Sequence, residues 1–278
     1  EETKTTKTAP DFSFYTNNLN HLKNISNVKR VYLEIPNEND NLDISSRPNY
    51  NVNYMVSFIK EAYEISLEKD YELVWKWPDI CHDSLIRTLN KVRGILKRMH
   101  IAIPIMSNCF NGEYGPYSMN ITNTESVDAL EGYRIVTLSP ELRKHDYEEI
   151  IRHAKAPQKL EMLVQGSVEL MKTRYPILYD TELKANYKNC LIDTNNNRHE
   201  IHKSISDEEL IIFCDSELSL IGEIKYLNEI GYVNFSIDGR YRNDDYFKIV
   251  GLYKSALQGD INKKELLKYS QKNTIANY

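Results

Sequence analysis

Charged side chains recur at the ends of short apolar runs in this 278-residue chain. Glu34, Lys76 and Glu141 each lie at or just after the end of such a run. Asp238 and Arg240 flank a glycine after another run, in the sequence Ile-Asp-Gly-Arg. Carboxylates can transfer protons, and cations can form ion pairs with them, provided that the fold brings the groups together.

Three further polar residues lie in comparable places. Glu161 is inside the apolar run KLEMLVQ, so its carboxylate must face a polar interior or a cation, for which Lys76 and Arg240 are the candidates. Asn120 and Gln165 lie in or at the end of two further runs. We therefore expect the catalytic residues to be Glu141, Glu161, Asp238 and Arg240, and the substrate-binding residues to include Glu34, Lys76, Asn120 and Gln165.

Short apolar runs alternate with amphipathic helical segments along most of the chain. The predicted strands are 11–18, 28–36, 71–78, 101–107, 117–123, 133–139, 159–165 and 232–238. This alternation is typical of a parallel sheet, and eight units in about 250 residues favour a (β/α)₈ TIM-barrel-like α/β fold. Residues 189–213 contain two or three strand-like runs, which predict a small β insertion after strand seven. In such a barrel the carboxyl ends of the strands form the functional face.

Composition limits the possible partners and cofactors. Residues 1–10 are polar and rich in Thr and Lys, so we expect a linker or disordered tail that joins residues 11–278, a single domain, to an upstream segment of a longer polypeptide. The net charge is −5 with dispersed acids, which disfavours nucleic acid, and no apolar run approaches the roughly 20 residues that span a membrane. Four cysteines without CxxC spacing predict free thiols in the cytoplasm and no metal site.

Several motifs, in the same order along the chain, resemble those of the peptidase U32 family. The strongest is the Glu-Met-Leu-Val-Gln-Gly sequence from Glu161 with the segment 170–177 that follows it. Upstream lie 118–123 and 137–142, and downstream lie 191–193, 214–218 and the Ile-Asp-Gly-Arg turn at 237–240. The match covers about 117–257 well and 12–116 only through the rhythm of strands and helices. The resemblance implies a hydrolase acting on a peptide or small substrate, and it adds Tyr175 to the expected substrate-binding residues.

Relatives of this kind hold an iron–sulfur cluster with four cysteines and support hydroxylation of RNA bases or of a quinone precursor. In this chain Glu169, Pro176 and Ser219 occupy three of the cysteine positions, and the fourth falls at about 185–189, which contain no cysteine. Cys190 and Cys214 lie nearby, but two cysteines do not make a site that needs four. Gln165 replaces the family histidine. Thiolates hold such clusters, so we expect no cluster and no other cofactor.

Three functional hypotheses remain open from the sequence. The first is a U32-type hydrolase that acts on a peptide or small molecule at the barrel mouth, although no GxSxG or HExxH motif is present. The second is a cluster-free accessory barrel that binds a substrate or partner while another segment performs the chemistry. The third is support of RNA modification, which the negative charge disfavours.

Overall fold

A computed structural model describes residues 9–36, 50–108, 112–173, 190–205, 209–269 and 273–274. Its central feature is a closed barrel of eight parallel strands, because the last of them pairs with both the first and the seventh. These strands are β1 (Asp11–Thr16), β2 (Arg30–Glu34), β3 (Glu72–Lys76), β4 (Ile105–Met106), β5 (Tyr114–Gly115), β6 (Ile135–Thr137), β7 (Leu160–Thr173) and β11 (Asn234–Asp238). The predicted (β/α)₈ barrel is confirmed.

Helices connect most of the strands and pack around the barrel. They are α1 (Leu19–Asn24), α2 (Val52–Lys69), α3 (Asp83–Arg98), α4 (Thr124–Asp128), α5 (Lys144–His153), α6 (Ile224–Glu229), α7 (Ile249–Leu257) and α8 (Lys263–Tyr269). In α3 the buried residues Leu85, Leu89, Val92 and Leu96 recur every three or four positions, which is the spacing of one helix face. None of the helices in the described ranges combines the length and the apolar character that crossing a bilayer requires.

The fifth strand lies before the place that the sequence predicted. Residues 117–123 do not form a strand, so that prediction is wrong: Tyr117–Met119 is a 3₁₀ helix and Asn120 has a left-handed backbone with φ of 51°. The strand is the two-residue β5, and Pro116 follows it directly. Proline has no N–H to donate to a neighbouring strand, so the ladder stops there.

The segment after β7 forms an antiparallel addition to the barrel. It contains β8 (Cys190–Ile192), β9 (Arg198–Lys203) and β10 (Leu210–Ser219), and β10 also pairs with the short β12 (Asn273–Thr274). β7 continues beyond the barrel, and its distal part pairs with β10, from Gln165 opposite Ser219 to Thr173 opposite Leu210. Most of the predicted tail lies outside the described residues, and its separation from a single domain at 11–278 stays a prediction.

Candidate functional site

Arg240 lies at the centre of a buried cluster at the carboxyl ends of the barrel strands. Its Nη1 is 2.7 Å from Glu34 Oε2, and its Nε and Nη2 donate to the two oxygens of Asp238 at 3.0 and 2.6 Å. Nη2 also lies 2.8 Å from Glu169 Oε1 and donates to the Tyr117 hydroxyl at 3.0 Å. The Arg240 side chain is 0% exposed. The cluster therefore joins the ends of β2 and β11 to the extension of β7.

Two lysines extend this cluster towards β3. Lys76 Nζ is 3.4 Å from Glu34 Oε2 and 3.7 Å from Asp79 Oδ2. Lys172 contacts both Asp79 and Glu169. The connected set, called here the ionic network, consists of Glu34, Lys76, Asp79, Glu169, Lys172, Asp238 and Arg240. It places three cations among four carboxylates in the interior of the barrel mouth.

Burial and the neighbouring charges shift the pKa values within the ionic network. Burial alone would raise the pKa of Glu34, but the positive charges of Arg240 and Lys76 outweigh it and lower that pKa to about 2. For Glu169, burial is the stronger effect and raises the pKa. Burial, together with the charges of Lys76 and Arg240, lowers the pKa of Lys172 well below its ordinary value. The contacting Glu169 and Lys172 thus have pKa values that are displaced towards each other.

Two glycines allow the backbone to pass close to this cluster. Gly166 has φ of +129°, and a Cβ there would lie 2.6 Å from the carbonyl oxygen of Asp238. A Cβ at Gly239 would lie 2.3 Å from Cζ of Phe14. Because real Cβ atoms do not approach other atoms so closely, β7 can cross the end of β11 only with glycine at position 166.

The β9–β10 hairpin covers part of the barrel mouth above the ionic network. The His202 ring stacks on Tyr241, with centroids 4.0 Å apart, and the Phe213 ring lies 5.7 Å from the Arg240 guanidinium carbon. The Tyr241 hydroxyl donates to Glu34 Oε1 at 2.8 Å. Beyond β9, Ile205 joins the apolar cluster that contains Trp77 near β3. The inserted strands therefore bury charged residues that the sequence placed on the functional face of the barrel.

A groove remains between the extension of β7 and the loops that follow β5 and β6. This mouth groove has a volume of about 180 Å³ and is lined by Tyr117, Ser118, Asn120, 139–141 and 168–172. Glu141 lies exposed on its rim, where its backbone N–H donates to Ser139 Oγ at 3.3 Å. Glu169 and Lys172 are the members of the ionic network that line the groove. They are therefore the network residues that a bound molecule could contact there.

Glu161 lies inside the barrel, close to the amino-terminal end of β7. Its Oε2 accepts hydrogen bonds from Ser13 Oγ at 2.7 Å and from the Tyr32 hydroxyl at 2.9 Å. Its Oε1 accepts from Thr137 Oγ1 at 3.0 Å. The side chain faces the polar interior that the sequence predicted, but these contacts hold it below the mouth and away from the groove.

The cation beside Glu161 differs from both predicted candidates. Arg30 Nη2 lies 3.9 Å from Glu161 Oε2 and also donates to Asn234 Oδ1 at 2.8 Å. The expectation of Lys76 or Arg240 is wrong because those two residues end their strands at the mouth, whereas Arg30 begins β2. The barrel therefore contains two polar layers, one at each end of its strands.

Gln165 points towards the helices that pack on the barrel. Its Nε2 donates to Glu217 Oε2 at 3.0 Å, and its Oε1 accepts from the Tyr253 hydroxyl at 3.0 Å. The Tyr246 hydroxyl donates to the same Glu217 oxygen at 2.8 Å. Protein groups therefore occupy both ends of the Gln165 amide. Tyr175, also expected to bind substrate, lies outside the described residues.

The structure thus separates the predicted site residues into three groups. It brings Glu34, Lys76, Asp238 and Arg240 together in the ionic network. It places Asn120 and Glu141 on the mouth groove, and Glu161 and Gln165 in other polar contacts. Sequence reasoning did not find the functional candidates Glu169, Lys172, Asp79, Tyr117 and Tyr241. For Glu169 and Lys172 a signal was present, because charged residues interrupt the apolar sequence Val-Glu-Leu-Met-Lys after Gly166.

The residues present do not fit an iron–sulfur cluster. Glu169, at one expected cysteine position, is held by Arg240 and Lys172, and Ser219, at another, provides a hydroxyl. Such a cluster requires thiolates. Pro176 and 185–189 lie outside the described residues. Within the described ranges, no three His, Cys, Asp or Glu side chains are arranged to hold a metal ion.

A closed parallel barrel with polar side chains at its carboxyl-terminal face is an architecture typical of enzymes. The family model for peptidase family U32 matches residues 52–277, so the chain belongs to the peptidase U32 family.

Solved structures of several proteins are similar to this chain at low sequence identity. The U32 peptidase Mk0906 is 9% identical, with 86% of this chain and 95% of that chain covered and a TM-score of 0.47. The YdjI aldolase from Escherichia coli K12 is 8% identical, with 97% and 87% covered and a TM-score of 0.35. A chitinase from Chromobacterium violaceum is 9% identical, with 90% and 98% covered and a TM-score of 0.30. No curated protein matches the chain.

Proposed function

We propose that this chain is a hydrolase that acts on a peptide or a small molecule in the mouth groove. The observation that carries the proposal is the contact between Glu169 and Lys172 at the groove, inside a buried ionic network. Burial raises the pKa of Glu169 and lowers that of Lys172. Ionisable groups with such shifts, located in a cleft, are frequent proton-transfer residues.

The proposed reaction uses Lys172 first as a base and then as an acid. Lys172 takes a proton from a water molecule as the water oxygen bonds to the substrate carbonyl carbon. Lys172 then gives this proton to the leaving group as the bond between that group and the carbonyl carbon breaks, while the Glu169 carboxylate holds Lys172 in position. Glu141, on the groove rim, contacts the substrate, while Arg240, itself paired with Asp238, holds Glu169 in position from inside the mouth.

Turnover of casein, gelatin and blocked peptides would test the proposal in the wild type and in variants. We expect Lys172→Met to reduce turnover by about 100-fold or more, the usual contribution of a proton-transfer residue. Glu141→Gln, at an exposed position, should weaken turnover without disturbing the fold. Glu64→Gln is a matched control, because Glu64 is an exposed carboxylate on α2. Equal turnover by Lys172→Met, Glu141→Gln and the wild type would contradict the proposal.

The second candidate is a binding barrel without chemistry of its own. It is favoured by the closure of the ionic network, in which Glu34, Asp238 and Glu169 surround a fully buried Arg240. A network of this kind can stabilise the mouth without reacting. Under this alternative, the wild type would bind peptides in the groove, and the turnover assay would show no product.

A further inference from the structure

We propose that the mouth groove recognises a cationic side chain, the ammonium or guanidinium group of a basic residue in a peptide. The inference deepens the proposed function, on which it rests, by naming the chemistry of the substrate. It is carried by the charge around the groove, by buried polar atoms that make no hydrogen bond, and by apolar side chains beside them.

The charge balance at the mouth is negative. The ionic network contains four carboxylates and three cations. Glu209, which is also buried and interacts electrostatically with Lys172, adds a fifth carboxylate. Glu141 adds another acidic side chain on the groove rim. A cation entering the groove would therefore be attracted by an excess of negative charge, whereas an anion would be repelled.

Two buried polar atoms at the groove make no hydrogen bond. The Glu169 side chain is 5% exposed, and its Oε1 forms an ion pair with Arg240 Nη2 at 2.8 Å but accepts no hydrogen bond. Ser118 Oγ, on the opposite wall, is buried without a hydrogen-bond partner. Buried polar atoms normally have partners, so these atoms point to a ligand that brings N–H donors.

The rim of the groove suits the stem of a long basic side chain. Leu170 and Met171 line the groove and are 54% and 50% exposed. The aliphatic part of a lysine or arginine side chain packs well on such apolar surface while its charged end reaches polar groups. A bare metal cation would gain nothing from these side chains, so we infer a peptide side chain.

Calorimetric titration with blocked pentapeptides that differ only at the central residue would test the inference. The central residue is lysine, arginine, uncharged norleucine or glutamate, and alanines flank it. We expect the lysine and arginine peptides to bind wild-type protein at least tenfold more tightly than the norleucine peptide. Raising the salt concentration should weaken binding of the lysine peptide and leave binding of the norleucine peptide unchanged.

Variants at the groove give the structural control. Glu141→Gln, on the exposed rim, should weaken lysine-peptide binding by about two- to fivefold, the range of a solvent-exposed ion pair, without changing norleucine-peptide binding. Glu169→Gln should weaken binding of the lysine peptide at least tenfold, and Glu64→Gln should leave the affinity for both peptides unchanged. Circular dichroism of each variant would show whether the fold is retained.

The outcomes separate this inference from the hydrolase proposal. Equal affinity for the norleucine and lysine peptides, or lysine-peptide binding that Glu141→Gln leaves unchanged, would overturn the inference. Turnover of norleucine and lysine peptides at equal rates would overturn it as well, while leaving the hydrolase proposal intact. Selective lysine-peptide binding without hydrolysis would support the inference and contradict the hydrolase proposal.

Discussion

Replacing Arg240 with methionine should lower the free energy of unfolding by about 3–5 kcal/mol, the usual effect of removing one partner from a buried ion pair. Arg240 is fully buried and lies between 2.6 and 2.8 Å from the carboxylates of Glu34, Asp238 and Glu169. Methionine keeps an unbranched chain but supplies no charge. Three buried carboxylates would then lose their shared cation.

The pKa of Glu34 gives an independent estimate of this magnitude. Arg240 and Lys76 overcome the opposing effect of burial and bring that pKa from 4.5 to about 2. At 1.36 kcal/mol for each pKa unit, the change corresponds to roughly 3 kcal/mol of stabilisation of the ionised carboxylate. Arg240 is the larger of the two favourable charges, so most of this stabilisation should be lost with it.

Urea denaturation followed by tryptophan fluorescence would measure the effect, because Trp75 and Trp77 are buried on either side of Lys76. Arg152→Met is the matched control, since Arg152 is 61% exposed and its ion pair should contribute at most about 1 kcal/mol. We expect the urea midpoint to fall by more than about 1 M for Arg240→Met, given a slope of about 1–3 kcal/mol per molar urea. Equal losses of stability in the two variants would refute the assignment of the ionic network as a stabilising element.

Three further changes test other parts of the site. Gly166→Ala should lower the free energy of unfolding by at least about 2 kcal/mol, because the backbone there is left-handed and the new Cβ would clash with Asp238. Thermal denaturation would measure this loss, and the control Gly132→Ala, at a position with open space around it, should change the free energy of unfolding by less than about 1 kcal/mol. The depressed pKa of Glu34 means that its stabilisation is present above pH 4.5 and is lost as the pH falls towards 2, so Glu34→Gln should flatten the pH dependence of the urea midpoint over that window. Glu161→Gln should lower the free energy of unfolding in urea by about 1–3 kcal/mol, because the Glu161 carboxylate accepts three buried hydrogen bonds. The same variant should leave peptide binding in the groove unchanged.

The barrel could be predicted from the sequence because its main signal is local. Each of β1, β2 and β3 is a buried apolar run, and α2 and α3 each follow one strand and precede the next. Order along the chain then fixes the parallel arrangement. The position of the fifth strand was predicted wrongly because a strand of two residues is too short to show the alternation of apolar and polar residues. Its ends depend instead on which residues of the neighbouring β4 and β6 pair with it.

The site could be predicted in part, for a similar reason. Polar residues at strand ends must meet at the mouth of a parallel barrel, and this rule identified Glu34, Lys76 and Arg240. Glu169 was missed because the glycine before it indicated the end of β7. The strand continues because β10, a segment about 40 residues later, pairs with it, and no local pattern encodes that pairing.

The extension of β7 also explains why the ionic network can be strong. An ion pair at a solvent-exposed barrel mouth would contribute about 0–1 kcal/mol to stability. Removing one partner of a buried ion pair instead destabilises a protein by about 3–5 kcal/mol. Burial of Arg240 depends on Glu169 from the extended strand and on Phe213 from β10, which pairs with that strand. The inserted hairpin and the network should therefore stabilise each other. Shortening the hairpin so that Phe213 is lost should reduce the effect of Arg240→Met towards that of Arg152→Met, and a double-mutant cycle in urea would measure this coupling.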